Sequence, residues 1–194
     1  MVQSFNIAAF RSIGSLLLRP SLLVPQLAVS DIRSIPFDSL QRSGIRFLVF
    51  DKDNCLTAPY VNTIHPPFQD AWAQCRSIFP RQNILVVSNS AGTPDDSNYM
   101  AAREVERELG VPVLRHTDKK PRCGAEILQA FGGAPPAEIA VVGDRLATDV
   151  AMANMCGMMS IWTRDIVSRQ GDNRMAALVR DAEHWVYGML KRRQ

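Results

Sequence analysis

Paired cysteines, histidine clusters, dense basic blocks and long apolar runs are all missing from this 194-residue chain. Its four cysteines (Cys55, Cys75, Cys123, Cys156) are widely spaced and form no CxxC pair. That argues against a disulfide framework and suits reduced, mostly buried thiols. The three histidines (His65, His116, His184) lie in no HExxH-like spacing, so a zinc site is not expected. The net charge of +3 is mild, and no Lys/Arg block with interleaved aromatics appears, so nothing points to nucleic acid. No apolar run reaches the roughly 20 residues that a membrane-spanning helix needs. The length suits one sizeable core and is short for two ordinary domains.

The first thirty residues lack acidic side chains altogether, while holding Arg11, Arg19 and five serines. Phe5, Ala9, Ile13, Leu16 and Leu17 recur near the helical period and predict an amphipathic helix over 4–18, which Pro20 and Pro25 bring to an end. The arginines fall inside the apolar region and not ahead of it, a poor match to a secretory signal. Three readings stay open: a mitochondrial transit segment, an interfacial helix on a membrane surface, or a helix packed on the core or on a second copy of the chain. Residues 1–40 are accordingly set apart as a membrane-associating or targeting segment, and 41–194 as the folded domain.

What the remainder holds is alternation. Short apolar runs at 46–50, 84–87, 111–114, 139–142 and 158–162 read as strands. Helical patterns at 67–79, 97–109, 121–131, 146–154 and 173–191 separate or follow them. Asp95 or Asp96 can cap the second of these helices, Gly110 follows its end, and Pro121 suits the first turn of the third. Such alternation predicts an α/β fold, a mostly parallel sheet with helices on both faces. Ligands in such sheets bind outside the carboxyl ends of the strands. Asp51, Ser88 and Asp144 all follow strands, in the strings VFDKD, VVSNS and VVGDRLATD. HTDKKPR lies between the last two, with Lys119 and Lys120 just ahead of Pro121.

Two carboxylates as close as Asp51 and Asp53 are costly to bury unless a cation or proton resolves the conflict. Mg²⁺ answers that need, since it prefers one or two carboxylates, waters and a substrate phosphate. Asp51 and Asp144 could supply the carboxylates. Asp51 could act as a carboxylate nucleophile toward phosphorus and Asp53 as general acid and base. Ser88 and a lysine would hold the phosphate oxygens. Each residue alone has a plain structural reading: a solvated turn, a helix cap, surface charge. A calcium loop fails, because Leu56 and Asn62 stand where glycine and the closing glutamate are needed.

The set DKDNC (51–55), SNS (88–90), KKP (119–121) and GDRLATD (143–149) resembles the four motifs of the haloacid-dehalogenase superfamily of phosphatases. LVFDKDNCLTAPY, preceded by PSLLVP, looks more narrowly like the mitochondrial phosphatidylglycerophosphate phosphatases, from about Phe5 through Asn173. The resemblance implies a Rossmann-like core and Mg²⁺. It makes Asp51 the nucleophile and Asp53 the acid/base, and gives Ser88 and Asn89 to the phosphate. Lys120 is the third-motif lysine with Lys119 as fallback, Asp144 is a metal ligand supported by Asp149, and the main-chain carbonyl of Asp53 also reaches the metal. It further implies dephosphorylation of phosphatidylglycerophosphate on the matrix side of the mitochondrial inner membrane, as a step toward cardiolipin. Cys55 stands where many superfamily members have Thr or Val, a change that small apolar packing accommodates. One helix and its connections fill each of the spans 51–88 and 88–120, so no cap domain fits and the site should be open.

Rivals remain. CRSIFPR (75–81) has the Cys-x5-Arg spacing of cysteine-dependent phosphatases, but it has no glycine, and Pro80 removes an N–H from any phosphate cradle. A phosphatase for a soluble phosphomonoester and a catalytically silent membrane scaffold are the other two. Leu16–Leu18 and Leu22–Val24 could also cover a neighbouring subunit, so self-association is an expectation. The basic tail KRRQ could meet anionic headgroups or be ordinary solvated charge.

Overall fold

The computed structural model of the protein describes residues 19–168 together with Arg180, Glu183 and residues 187–189. The helix expected over 4–18, most of that expected over 173–191, and the basic tail lie outside the described residues.

Five strands form one sheet: β1 (Leu27–Val29), β2 (Phe47–Phe50), β3 (Ile84–Val86), β4 (Ile139–Gly143) and β5 (Met159–Thr163). All paired strands are parallel, in the order β1-β5-β4-β2-β3. The chain runs from β2 to β3 on one side and then returns to β4 on the other. The cleft between β2 and β4 is therefore a switch point, where side chains leaving adjacent strand ends diverge around an open crevice. Phe50 pairs with Val142, which sets Asp51 beside Gly143 and Asp144 at that cleft.

Strand residues alternate between two cores, as period-2 geometry requires. Leu48, Phe50, Val86, Val142 and Ile161 face one core, packed by α1 (Phe37–Arg42), α2 (Gln69–Ile78) and α3 (Met100–Leu109). Val49, Leu85 and Val141 face the other, packed by α4 (Gly124–Ala130) and α5 (Ala151–Met155). The strands are buried on both faces, which is why they read as uninterrupted apolar runs. The sheet with flanking helices is Rossmann-like. Among the described residues no helix is long and apolar enough to cross a membrane.

Several local expectations shift. Residues 27–40, grouped with the N-terminal segment on composition, supply β1 and the buried Ile32, Phe37 and Leu40. The strand expected at 111–114 is a single bridge between Val86 and Val113. Pro112 has no N–H to extend a ladder, and the Val113 N–H goes to Glu106 Oε1 at 2.9 Å. Pro121 does not begin a helix: it follows a cis peptide bond, and α4 starts only at Gly124. The helix expected from Leu146 opens as a π-helical turn over Leu146–Val150 before α5.

Asp96, not Asp95, organises the start of α3. Its carboxylate accepts N–H bonds from Gly92 (3.0 Å), Ala101 (2.9 Å) and Ala102 (3.0 Å). Burial alone would push this carboxyl up, but the three donors, with Arg115 nearby, hold it below its ordinary value. At the other end of α3, Gly110 adopts a left-handed conformation (φ 71°) that closes the helix. Asp96→Ala is expected to cost about 1–2 kcal/mol at neutral pH, as removal of a helix cap does. The stabilisation is present above the unfolded carboxyl pKa and disappears as pH falls through the depressed folded value. Urea titrations of both proteins in progressively acidic buffers should show the gap closing.

Candidate active site

The carboxyl ends of β2, β3 and β4 carry the chemistry. β2 ends at Phe50, and the Asp51 N–H continues the ladder to the Val142 carbonyl at 2.9 Å before the chain turns away. Asp144 leaves β4 beside it and is almost wholly buried. Asp149 comes back to the same place from the π-helical turn. One oxygen each from Asp51, Asp144 and Asp149 lie within 4.8 Å of one another, a cluster that could hold a metal ion.

Lys120 is inserted into this cluster. Its Nζ donates to Asp51 Oδ1 at 2.5 Å and to Asp149 Oδ1 at 2.6 Å. The Lys120 N–H is itself held by Asn89 Oδ1 at 2.9 Å, which fixes the backbone that delivers the ammonium. Lys119 points elsewhere, to the exposed Asp95 at 2.7 Å. Geometry thus separates the two lysines in the order the motif resemblance ranked them, Lys120 inside and Lys119 outside.

Electrostatics follow from burial. Desolvation would lower Lys120, but Asp149 and Asp51 outweigh it and raise the ammonium's pKa above its ordinary value. Burial pushes Asp51 up, against the pull of Lys120 and with added repulsion from Asp149. Asp144 is pushed well up by burial and then by Asp51 and Asp149, with Arg180 and Arg145 opposing. Burial outweighs the nearby cations at Asp51 and Asp144, and among the described residues Asp144 Oδ1 is buried without a hydrogen-bond partner. An orphaned oxygen in an anionic cluster fits a divalent cation bound by hard oxygen donors.

Asp53 stands at the lip of this cluster, half-buried. Its Oδ1 receives Lys52 Nζ at 2.6 Å and the Tyr60 N–H at 2.9 Å, and its Oδ2 receives the Ser90 hydroxyl at 3.2 Å. Ser88 is buried at the end of β3. Its Oγ lies 3.0 Å from Ser90 Oγ and accepts the Ser90 N–H at 3.2 Å. Asp51, Asp53, Ser88, Asn89, Lys120, Asp144 and Asp149 are therefore linked at one rim, and Lys119 is not.

Several participants escaped sequence reasoning. Lys52 is buried against Asp53 and the Val61 carbonyl (2.9 Å). The His116 ring nitrogens sit 3.0 Å from the Ser88 carbonyl and 2.6 Å from that of Asp118, joining the second and third motifs. Arg180 donates to Asp144 Oδ2 through Nε (2.9 Å) and Nη2 (2.7 Å). Lys52, Ser90 and His116 stand inside the strings DKDNC, SNS and HTDKKPR, so their position was a usable signal. Arg180 carries none.

The cysteine rival loses its geometry. Cys75 is buried in α2, where burial pushes its thiol up to about 12. Arg81, its supposed clamp, donates instead to the Gly110 carbonyl at 2.9 Å. Cys55 is a buried packing residue with its thiol raised by burial and by the nearby acids, as small apolar packing anticipates.

Acids, a buried lysine and a serine hydroxyl at the switch point of a parallel sheet define a Rossmann-like α/β enzyme for a small anionic group. The chain matches the family described as mitochondrial PGP phosphatase over residues 7–168, and it belongs to that family of phosphatases. It is 40% identical over 164 residues to the mitochondrial phosphatidylglycerophosphatase of Saccharomyces cerevisiae, covering 82% of this chain and 88% of that one. It is 38% identical to the chloroplastic phosphatidylglycerophosphate phosphatase 1 of Chlamydomonas reinhardtii, over 86% of this chain and 62% of that one. It is 31% identical to the probable mitochondrial phosphatidylglycerophosphatase of Schizosaccharomyces pombe, over 74% of this chain and 68% of that one.

Two predictions concern delivery of these groups. Lys120→Met should cut phosphate release by about 10²–10³-fold, the usual range for loss of one preorganised donor, while Lys119→Met should stay near wild type. Parallel initial-rate assays distinguish them. A Cβ at position 143 would collide with the Asp149 carboxyl group. Gly143→Ala should thus lower turnover by about 10²-fold, as displacement of a positioned group does, while circular dichroism stays native.

Proposed function

We propose that the protein is a Mg²⁺-dependent phosphatase of haloacid-dehalogenase type that converts phosphatidylglycerophosphate to phosphatidylglycerol and phosphate, a step toward cardiolipin. The observation that carries the chemistry is the buried Lys120 held between Asp51 and Asp149 beside the unpartnered oxygen of Asp144. The substrate rests on the family and on the activity for which its Saccharomyces cerevisiae and Chlamydomonas reinhardtii relatives are named.

Asp51 and Asp144 would hold the metal, with Asp149 beside them and the main-chain carbonyl of Asp53 as a further donor. When bound, the ion supplies positive charge that lets an anionic carboxylate approach an anionic phosphate. Everything else falls to side chains. An Asp51 oxygen attacks phosphorus, and the bond to the glycerol oxygen breaks, leaving an aspartyl-phosphate. Asp53, already orienting Ser90 and the Tyr60 N–H, gives its proton to the leaving glycerol oxygen. It then takes a proton from the water that attacks phosphorus and breaks the acyl-phosphate bond, which releases phosphate, frees the Asp51 carboxylate and returns Asp53 to its protonated form. Ser88, Asn89 and the Lys120 ammonium face the phosphate oxygens, where negative charge accumulates.

The spans 51–88 and 88–120 hold α2 and α3 with their turns, so the rim stays open, in keeping with a substrate whose acyl chains remain in a bilayer. We place the enzyme peripherally on the matrix side of the mitochondrial inner membrane, reached through the amphipathic N-terminal segment, with self-association as a further expectation. The division into an N-terminal segment (1–40) and a phosphatase domain (41–194) is kept as a functional one.

The experiment is phosphate release with Mg²⁺ from phosphatidylglycerophosphate in micelles, beside a panel of soluble phosphomonoesters. Wild type should prefer the lipid, Asp51→Asn should lose several orders of magnitude, and chelation should abolish turnover reversibly. Preference for a soluble ester would discard the lipid substrate and keep the aspartate chemistry. Silence toward every substrate would favour a scaffold.

A further inference from the structure

The residues that ligate Asp144 and brace its loop come from a part of the chain beyond residue 168, where the family match ends. Arg180 and Glu183, both helical and three positions apart, reach the same loop, at Asp144 and Ala147. Both are buried against the segment running from Gly143 to Val150.

Arg180 meets Asp144 through two nitrogens, Nε at 2.9 Å and Nη2 at 2.7 Å, and both go to the same oxygen, Oδ2. The guanidinium and the carboxyl are almost completely withdrawn from water. A planar fork on one oxygen fixes the carboxyl's rotation. Oδ1, buried and with no hydrogen-bond partner, is then the oxygen left to the acidic cluster. Glu183 works on the other half of the loop. Its Oε1 accepts the Ala147 N–H at 2.9 Å, an amide at the opening of the π-helical turn that returns Asp149 to the cluster. Such turns are uncommon and leave amides without a helical partner, so an external acceptor stabilises them. Tyr187 completes the seat, packing edge-on against Trp162 with ring centroids 4.8 Å apart, beside Leu146 and Val150. Trp162 in turn donates Nε1–H to the Asp144 carbonyl at 2.9 Å.

We propose that Arg180 and Glu183 are working parts of the metal site, with Arg180 as the positioning residue that aims Asp144 Oδ1 and Glu183 as the brace of the turn that carries Asp149. The inference rests on the cation proposed above. It concerns how this chain's own residues present oxygen to that cation.

Charge and positioning make opposite predictions, which gives the test its force. Removing a positive charge from an acidic cluster should by itself strengthen cation binding. Losing the fork that aims Oδ1 should weaken it. Mn²⁺ titrated calorimetrically into metal-free wild type, Arg180→Ala, Arg180→Lys and Glu183→Ala reads the difference without reference to turnover. The Mn²⁺-induced rise in Tm provides a second readout. We expect both Arg180 variants to bind about 10- to 100-fold more weakly, the range found when a group orienting a metal ligand is removed, with the rise in Tm reduced in step. Arg180→Lys keeps the charge but not the fork, so it should fail to rescue. Glu183→Ala should shift binding in the same direction.

Binding by Arg180→Ala as tight as or tighter than wild type would overturn the proposal and leave Arg180 as a charge balance. If Arg180→Ala does not fold, Arg180→Lys decides alone: weakened binding supports the proposal and unchanged binding overturns it. No binding by wild type would overturn the cation assignment itself, and this proposal with it.

Discussion

Lys120 brings an ammonium into the core between Asp51 and Asp149, and the rest of the rim is arranged around that contact. Removing one partner of a buried pair typically costs about 3–5 kcal/mol, because the remaining charge is left without compensation. The lysine is therefore a structural necessity. It sits between two carboxylates at the end of a parallel sheet and draws Asp51 down against the burial that pushes it up. Its own delivery depends on Asn89, whose side chain holds the Lys120 N–H, and on His116, whose ring spans the carbonyls of Ser88 and Asp118. The second and third motifs are thus one hydrogen-bonded unit.

The fourth motif is constrained differently. Gly143 is required because any side chain there would occupy the place of the Asp149 carboxyl group. The π-helical turn over Leu146–Val150 spends its first residues bringing Asp149 back toward β4. The turn's apolar residues Leu146 and Val150 close against Trp162 from β5. A loop this tight has little freedom, and its contacts with Arg180 and Glu183 reduce that freedom further. Rigid placement keeps acids that repel one another close together, where a looser loop would let them move apart.

Much of the architecture was legible in the sequence because doubly buried strands announce themselves as apolar runs. β2, β3, β4 and β5 fall on the expected runs. β1 did not, since three residues between Pro25 and Ser30 carry no period, and their pairing with β5 joins segments far apart in the chain. The strand expected at 111–114 shrank to a bridge, in which the Val86 N–H meets the Pro112 carbonyl and the Leu114 N–H meets the Val86 carbonyl, because Pro112 has no N–H to carry the ladder further. Among the described residues, the helical patterns at 67–79, 97–109, 121–131 and 146–154 were right in kind, and their α-helices begin a few residues later, after turns or 3₁₀ and π geometry.

In the site, the sequence by itself determined that acids and a lysine would meet. Strand–helix alternation puts every strand's carboxyl end on one edge, and Asp51, Ser88 and Asp144 each follow a strand. Residue chemistry alone does not choose between the neighbours Lys119 and Lys120, and the motif resemblance only ranks Lys120 first with Lys119 as fallback. Only the turn before Pro121, which sends one inward to Asp51 and the other out to Asp95, made the choice. Nor could the sequence find Arg180, whose helical period is unremarkable and whose partner lies 36 positions away. Local pattern records which face of an element is buried. Which charges meet across that burial is decided by tertiary packing, because desolvation makes a charge depend on its partners in space and not on its neighbours in sequence.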